Sequence, residues 1–408
     1  MIKVAPSNNF TETAHFTCNG INDSQVIQSA IIEAGVKNSH VQFLSGIFYI
    51  TDPIVITNPW RMTLEGSGAS TIFYNKSNDY CFIATGDKYP GSNVKNWFNH
   101  CFLEIRKIFF TQIAPSAPTL WLPTEDPDYS SWGTNTGKGI LLSGLSNSIV
   151  EDCYFHGLAG TGIRLQDWSW NNRIVNNMFY LSSIGLPGSN PWGTGSIQFS
   201  DDMSVHDTKI TGNLFSGTEP ELGGNQRYVC AIWGGAAVNL EITNNKFEQF
   251  TQFDYNIPGL CRAVRWGAGN SFEFTDNTLE AVDIGVDLCG AFIDNQGVMI
   301  NDNRFYDTRI GIVSGGYENV NTPIISGNIF KASHEDGVYP IYLYNPENIV
   351  KSNHLIIGNK FDCGTGKAIT CKDESNVNLS TFIIANNWYK DYNGDDILIE
   401  PLLEINLL

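Results

Sequence analysis

Nine segments of this chain repeat one pattern: two positions usually apolar, one or two small or polar residues, usually Asn, a free position, then usually an aromatic. Examples are Ile149-Val150-Glu151-Asp152-Cys153-Tyr154, Ile174-Val175-Asn176-Asn177-Met178-Phe179, Met299-Ile300-Asn301-Asp302-Asn303-Arg304-Phe305 and Ile324-Ile325-Ser326-Gly327-Asn328-Ile329-Phe330. Aligning them gives one column that begins at Asp152 and continues through Asn177, Asn213, Asn245, Asn277, Asn303, Asn328, Asn359 and Asn387. The spacing runs from 25 residues (Asn303 to Asn328) to 36 (Asn177 to Asn213), so the unit is constant and its loops vary. A recurring unit of this length dictates the whole fold.

Each unit offers short apolar runs around a polar turn and cannot bury its own apolar face. Stacking units solves this, because every strand then pairs with the coils above and below, at ~4.8 Å per rung. An Asn at the same turn of each coil can donate its amide to the Asn of the next, satisfying side chains that stacking buries. Asn also tolerates the left-handed backbone that a sharp turn needs. Leucine-rich and propeller repeats are disfavoured, since their Leu spacing and Trp-Asp signatures are missing. At the start, Asp23 is an expected N-cap, Val26, Ile27, Ala30, Ile31 and Ala34 form one helical face, and Gly35 is expected to end the helix. Val41 to Ile50 and Arg61 to Gly68 follow as coils, and Phe102 to Phe110 as another with Lys107 at the Asn position.

On these motifs the chain resembles the right-handed parallel β-helix of the pectate-lyase-like superfamily, with its polygalacturonases, pectate lyases and phage tailspike depolymerases. The resemblance covers nearly all of the chain and implies an all-β solenoid with an N-terminal capping helix. The expected organisation is one domain, residues 1–408, with the cap in 1–40, coils in 41–390 and a C-terminal tail in 391–408.

A net charge of −18 argues against nucleic-acid binding. No apolar stretch is long enough to span a membrane. Met1 to Pro6 lacks the apolar core of a signal peptide, so the resemblance implies an extracellular or virion-associated protein without a visible leader. Nine cysteines are scattered, with Cys230, Cys289 and Cys371 on coil strands, and read as small buried thiols. No metal-binding spacing is present, and no cofactor is expected unless the chain is a lyase using Ca²⁺.

Three excursions interrupt the coils, at residues 111–138, 181–194 and 216–227. All follow the aromatic that ends the motif, so they are expected on one side of the stack. The first holds Trp121, Tyr129 and Trp132, the second Trp192, the third Glu219 and Glu221. The strands after the loops align as well, for example Gly162-Ile163-Arg164-Leu165, Ala263-Val264-Arg265-Trp266 and Gly285-Val286-Asp287-Leu288. Alternation turns Ile or Val inward at the second place, so the third faces out. The outward column is Leu141, Arg164, Gln198, Trp233, Arg265, Asp287, Val313, Tyr342 and Thr370. The next outward column includes Ser143, Gln166, Ser200, Gly235 and Gly267. Trp266 is expected to point inward.

A groove of Arg, Gln, Trp and Asp suits a sugar polymer, because aromatic rings stack on apolar sugar faces while polar groups bind hydroxyls. The expected contacts are Arg164, Gln198, Trp233, Arg265, Asp287 and Tyr342, with Trp168, Trp170 and Trp192 as platforms. Glycosidic hydrolysis needs an acid and a second carboxylate. Asp167 and Asp201 end neighbouring strands, Asp202 is the alternative partner, and Glu219 and Glu221 are placed to reach in from their loop. Ser200-Asp201-Asp202 loosely matches the paired Asp of polygalacturonases, but Asn-Thr-Asp, Gly-His-Gly and Arg-Ile-Lys are missing, so the arrangement looks more like tailspike glycosidases. A lyase acting on a uronate-containing glycan, with Arg265 beside Asp287 or Arg164 beside Asp167, is the second reading. A non-catalytic glycan-binding spike is the third. Tailspike-like relatives form trimers, so a homotrimer is among the expectations.

Overall fold

The computed structural model describes residues 1–9, 13–86, 102–112, 137–180, 195–200, 204–217, 230–250, 261–288, 295–314, 320–321, 323–332, 339–345, 354–362, 368–373, 383–390, 397–399 and 406–407. Two compact units are distinguished, one within Met1–Gln198 and the other within Phe199–Glu221 and Tyr228–Leu408. Each is a stack of β-coils, and each coil supplies strands to three parallel sheets. Sheet 1 takes the apolar run of the motif (Ile149–Glu151, Ile324–Ser326), and sheet 2 the residues after the Asn position (Tyr154–His156, Ile329–Lys331). Sheet 3 takes the next strand (Ile163–Gln166, Ile310–Ser314).

The rungs stay in register because the same residue types recur at inward positions. In the first unit Val150 pairs with Ile105 and Ile174, and Phe155 with Phe110 and Phe179. In the second, Ile325 pairs with Ile300 and Ile356, and Phe330 with Phe305 and Phe361. These side chains are buried, and the Phe rings stack rung on rung, as Phe155 on Phe179 at 4.8 Å and Phe305 on Phe330 at 4.7 Å. Their bulk, together with a backbone carbonyl of the next rung at 2.4–2.5 Å, leaves no room for a side chain at Gly285 and Gly311, which open sheet 3 strands. A Cβ on Gly285 would meet the Phe305 ring at 2.7 Å, and one on Gly311 the Phe330 ring at 2.6 Å.

The Asn column is a continuous ladder in the second unit. Asn213, Asn245, Asn277, Asn303, Asn328 and Asn359 each donate Nδ2 to the Oδ1 of the next Asn at 3.0–3.1 Å, ending on Asn387. The same Oδ1 accepts the backbone N–H of the preceding Asn, and from Asn245 on each Nδ2 also donates to a carbonyl of the coil before. Buried amides are thereby satisfied on both sides.

Two expectations about this column are corrected by the register. Glu151 pairs with Val175 and Arg106, so Cys153, not Asp152, aligns with Asn177, and Ile108, not Lys107, holds the place one coil earlier. Cys153 donates its backbone N–H to Asn177 Oδ1 at 2.9 Å. Nor is the left-handed residue the laddered Asn. It is the residue before, at Lys107, Asp152, Asn176, Gly212, Asn244, Asp276, Asp302, Gly327, Gly358 and Asn386, with φ between 52° and 68°. Gly, Asn and Asp predominate there because they adopt this conformation at least cost.

The N-terminal helix α1 spans Ser24–Val36 and packs on the first strands with Ile27, Ala30, Ile31 and Ala34 buried. Asp23 precedes it but makes no side-chain cap. Its carboxylate instead accepts the backbone N–H groups of Asn19, Gly20 and Tyr49, fixing the turn to the first coil. Gly35 lies inside the last turn, and Lys37 is the C-cap. Trp266 is fully buried and stacked on Phe272 at 4.8 Å, as alternation requires. Cys230 is a free buried thiol, as expected of a coil strand, and burial pushes its pKa up to about 12.

Replacing Asn303 with Ala removes two donated and two accepted hydrogen bonds from a fully buried site, and should cost about 3 kcal/mol, against about 1 kcal/mol for the half-buried terminal Asn387. Denaturant unfolding of the two variants measures this, and equal midpoints would contradict a ladder role. On sheet 2, His156 stacks on Tyr180 at 5.2 Å, and burial lowers its pKa from 6.5 to about 4. A depressed folded-state pKa means the stabilising contribution is complete above the unfolded value, and is lost as pH falls from 6.5 toward 4. His156→Phe should therefore lose less Tm than the native chain between neutral pH and the bottom of that window; an identical loss would refute the assignment.

Candidate functional site

The outward column exists on sheet 3 of both units. In the first, Leu141 pairs with Arg164 and Ser143 with Gln166. In the second, Trp233, Arg265, Asp287, Val313, Tyr342 and Thr370 occupy successive paired positions. Ile163, Ile232, Val264, Val286, Ile312 and Ile341, one place earlier, are fully buried, so alternation separates core from surface as read. Arg164, Gln198, Trp233, Arg265 and Tyr342 are half-buried.

Asp287 departs from that reading. It is only 6% exposed, and its carboxylate accepts a 2.5 Å charged hydrogen bond from Arg262 Nε. Arg262 opens the preceding strand opposite Cys230 and Ile284, so it reaches Asp287 diagonally rather than along the column. Arg265, directly opposite Asp287, instead lays its guanidinium over the Trp233 ring, 4.3 Å from the centroid. A cation over an indole face is held by the ring quadrupole. These rungs of sheet 3 thus bring together Arg262, Arg265, the Trp233 indole and the committed Asp287 carboxylate. Arg262 was missed from sequence because a column reading compares equivalent positions and ignores diagonals.

In the first unit, Tyr80 and Lys138 join Arg164, and both were also missed. Lys138 pairs with Tyr80 and sets its ammonium over that ring at 5.1 Å. Burial pushes Tyr80 up to about 12, outweighing the nearby Arg164 charge, which favours the phenolate. Thr161 donates its hydroxyl to Gln198 Oε1 at 3.1 Å.

Asp167 follows the Arg164 strand with φ of 56°, and Trp168 with φ of 61°. Two consecutive left-handed non-glycine residues are strained, which is commoner at functional positions than elsewhere. Asp167 Oδ2 accepts the Ser143 hydroxyl at 2.5 Å and the Gln166 amide at 3.0 Å. Ser143, in the second outward column, is thereby buried, and Ser200 of that column is buried beside Ser204. Trp168 is 44% exposed; Trp170 is half-buried and bridges to Ser146 beyond sheet 3. Asp201, Asp202, Glu219, Glu221 and Trp192 lie outside the described residues, as do most of the three excursions. Among the described residues, no group of three His, Cys, Asp or Glu side chains could hold a metal ion, and no helix is long and apolar enough to cross a membrane.

No protein-family model matches the chain, and no curated protein matches its sequence. Solved structures do match. PfbA, a surface adhesin of Streptococcus pneumoniae, aligns at TM-score 0.65 and 16% identity over 93% of this chain and 90% of its own. The Dettilon tailspike protein aligns at 0.51 and 13% over 99% and 68%. The catalytic unit of a thermostable GH87 alpha-1,3-glucanase from Streptomyces thermodiastaticus strain HF3-3 aligns at 0.52 and 13% over 94% and 68%. At these identities the likeness concerns the fold alone, a right-handed parallel β-helix.

Proposed function

We propose that this protein acts on a polysaccharide held across the strands of sheet 3, and that it cuts the chain by hydrolysis. The observation that carries the reading is the in-register outward row of the second unit, in which Trp233 and Arg265 stand on adjacent rungs with the guanidinium over the indole. Rungs ~4.8 Å apart present a repeating polymer with repeating contacts. Likeness to a tailspike, a glucanase and a surface adhesin supports a glycan ligand and an extracellular or virion-associated setting.

For hydrolysis, Asp167 is the described carboxylate of choice. It follows the Arg164 strand, bonded by the Gln166 amide, on a strained turn. Asp201, Asp202, Glu219 and Glu221 remain the candidates for the second carboxylate. A glycan-binding protein without cleavage is the alternative that one observation favours: the hydrogen bonds from Ser143 and Gln166 to Asp167 are also what a turn-fixing carboxylate would receive.

Incubating the protein with bacterial capsules, pectins and other glycans, and analysing the products, separates these readings. New reducing ends without unsaturated sugars are expected, and Asp167→Asn should lower their rate by about 10²-fold or more, the usual contribution of a general acid or base. Unsaturated ends would mean a lyase. Retention without cleavage would mean a binder, and an unchanged rate in the Asn variant would remove Asp167 from the chemistry.

A further inference from the structure

We infer that sheet 3 of the first unit carries a remote glycan subsite at its N-terminal end, in which uncharged sugars lie along Val55, Ile83 and Leu141 and the outermost stacks on Trp60. The inference rests on the glycan reading above and adds how far the sugar chain runs from Asp167 and what part of it is held there.

The rungs before Arg164 are uncharged. Val55 pairs with Ile83, Ile83 with Leu141 and Leu141 with Arg164, so one outward row runs Val, Ile, Leu, Arg. Two places further along the strands, Thr57, Thr85, Ser143 and Gln166 are paired in the same order. Ile54, Ile56, Phe82 and Ala84 between them point inward and are buried, whereas Val55 and Thr57 are exposed and Ile83 and Thr85 half-buried. Ser143 is committed to Asp167, so the open part of the surface is the pair of rungs beyond it, each with an aliphatic side chain beside a hydroxyl. A sugar ring has the same double character, with C–H groups on its faces and hydroxyls on its rim.

The row also has a defined end. Gln28 of α1 takes the place of a further strand: its amide donates to the Val55 carbonyl and its Oε1 accepts the Val55 N–H, both at 2.8 Å. Beside this last rung, in the turn from sheet 3 to sheet 1, stands Trp60. It is 51% exposed although Pro59 before it is buried, and the Arg61 guanidinium lies 5.4 Å from its ring centroid. Asn58 and Arg61, either side of it, both have φ of 47°, and a left-handed arginine is uncommon. Trp168 stands in the corresponding turn three rungs on, exposed in the same way and left-handed together with Asp167. One exposed apolar residue is ordinary. Here two indoles on strained turns bracket an uncharged row ~14 Å long, three rungs of ~4.8 Å, that starts beside the candidate carboxylate. A sugar chain running from Asp167 toward α1 meets a stacking surface at each end of that row.

The test is a length series. A polysaccharide that binds in the screen above is cut by partial acid hydrolysis into oligosaccharides of graded length. The affinity of each, or its kcat/KM where it is cleaved, is measured with the native chain, Trp60→Ala and Trp60→Phe, each first checked for a native Tm. Native affinity should step up roughly ten-fold once an oligosaccharide is long enough to reach from Asp167 to Trp60, the worth of one aromatic stacking contact. The step should vanish in Trp60→Ala, return in part in Trp60→Phe, and hold as salt rises, because the row carries no charge. No step with length, a step that survives in Trp60→Ala, or one that collapses with salt overturns the inference and leaves the glycan reading standing. Failure of every glycan in the screen to bind overturns both.

Discussion

Register between rungs is the constraint on which the rest of this molecule depends. A parallel coil has no tight hairpin to set its pairing, and a slip of one residue would turn every inward side chain outward. Two devices prevent this. Stacked Phe rings and aliphatic side chains fill the inward positions at equivalent places, and the Asn ladder joins each turn to the next through buried side-chain amides that also bond the backbone of the neighbouring coils. A slipped rung would leave these amides unsatisfied as well as misplacing the apolar groups, so both penalties act on the same error. Because register is exact along sheet 3, residues tens of positions apart in sequence, such as Trp233, Arg265 and Asp287, become neighbours.

Much of this was legible because the chemistry of each repeated position is narrow. Only a short amide side chain can both donate and accept along the ladder, so Asn recurs visibly. Ile or Val followed by an outward residue recurs because strand alternation permits little else. The errors arose where a neighbour imitates the key residue. Asp152 resembles the laddered Asn more than Cys153 does, yet the backbone assigns Asp152 to the left-handed position and Cys153 to the ladder. The same ambiguity misplaced Lys107. Left-handed turns and laddered amides both select Asn, and adjacent columns of one residue type blur together.

The site was less legible than the fold, since column reading predicts which side chains face out but not what they do there. Asp287 faces out and is nevertheless buried, because Arg262 folds across from the first position of the adjacent strand. Ser143 is outward by parity but covered by the carboxylate of Asp167, whose turn bends back over the strand end. Pairings of this diagonal kind depend on rotamers and on the local bend of the chain, which repeat spacing does not encode. They change the chemistry of the row: one Asp becomes a structural counter-ion, and one Arg is turned onto an indole face.

The central claim is that a sugar chain lies across the strands of sheet 3. A crystal structure of the protein with a bound oligosaccharide tests it most directly. The account predicts sugar density over Trp233 and Arg265, running from rung to rung at right angles to the strands. An oligosaccharide seated instead on the outer face of sheet 1 or sheet 2, with Trp233 untouched, would contradict it.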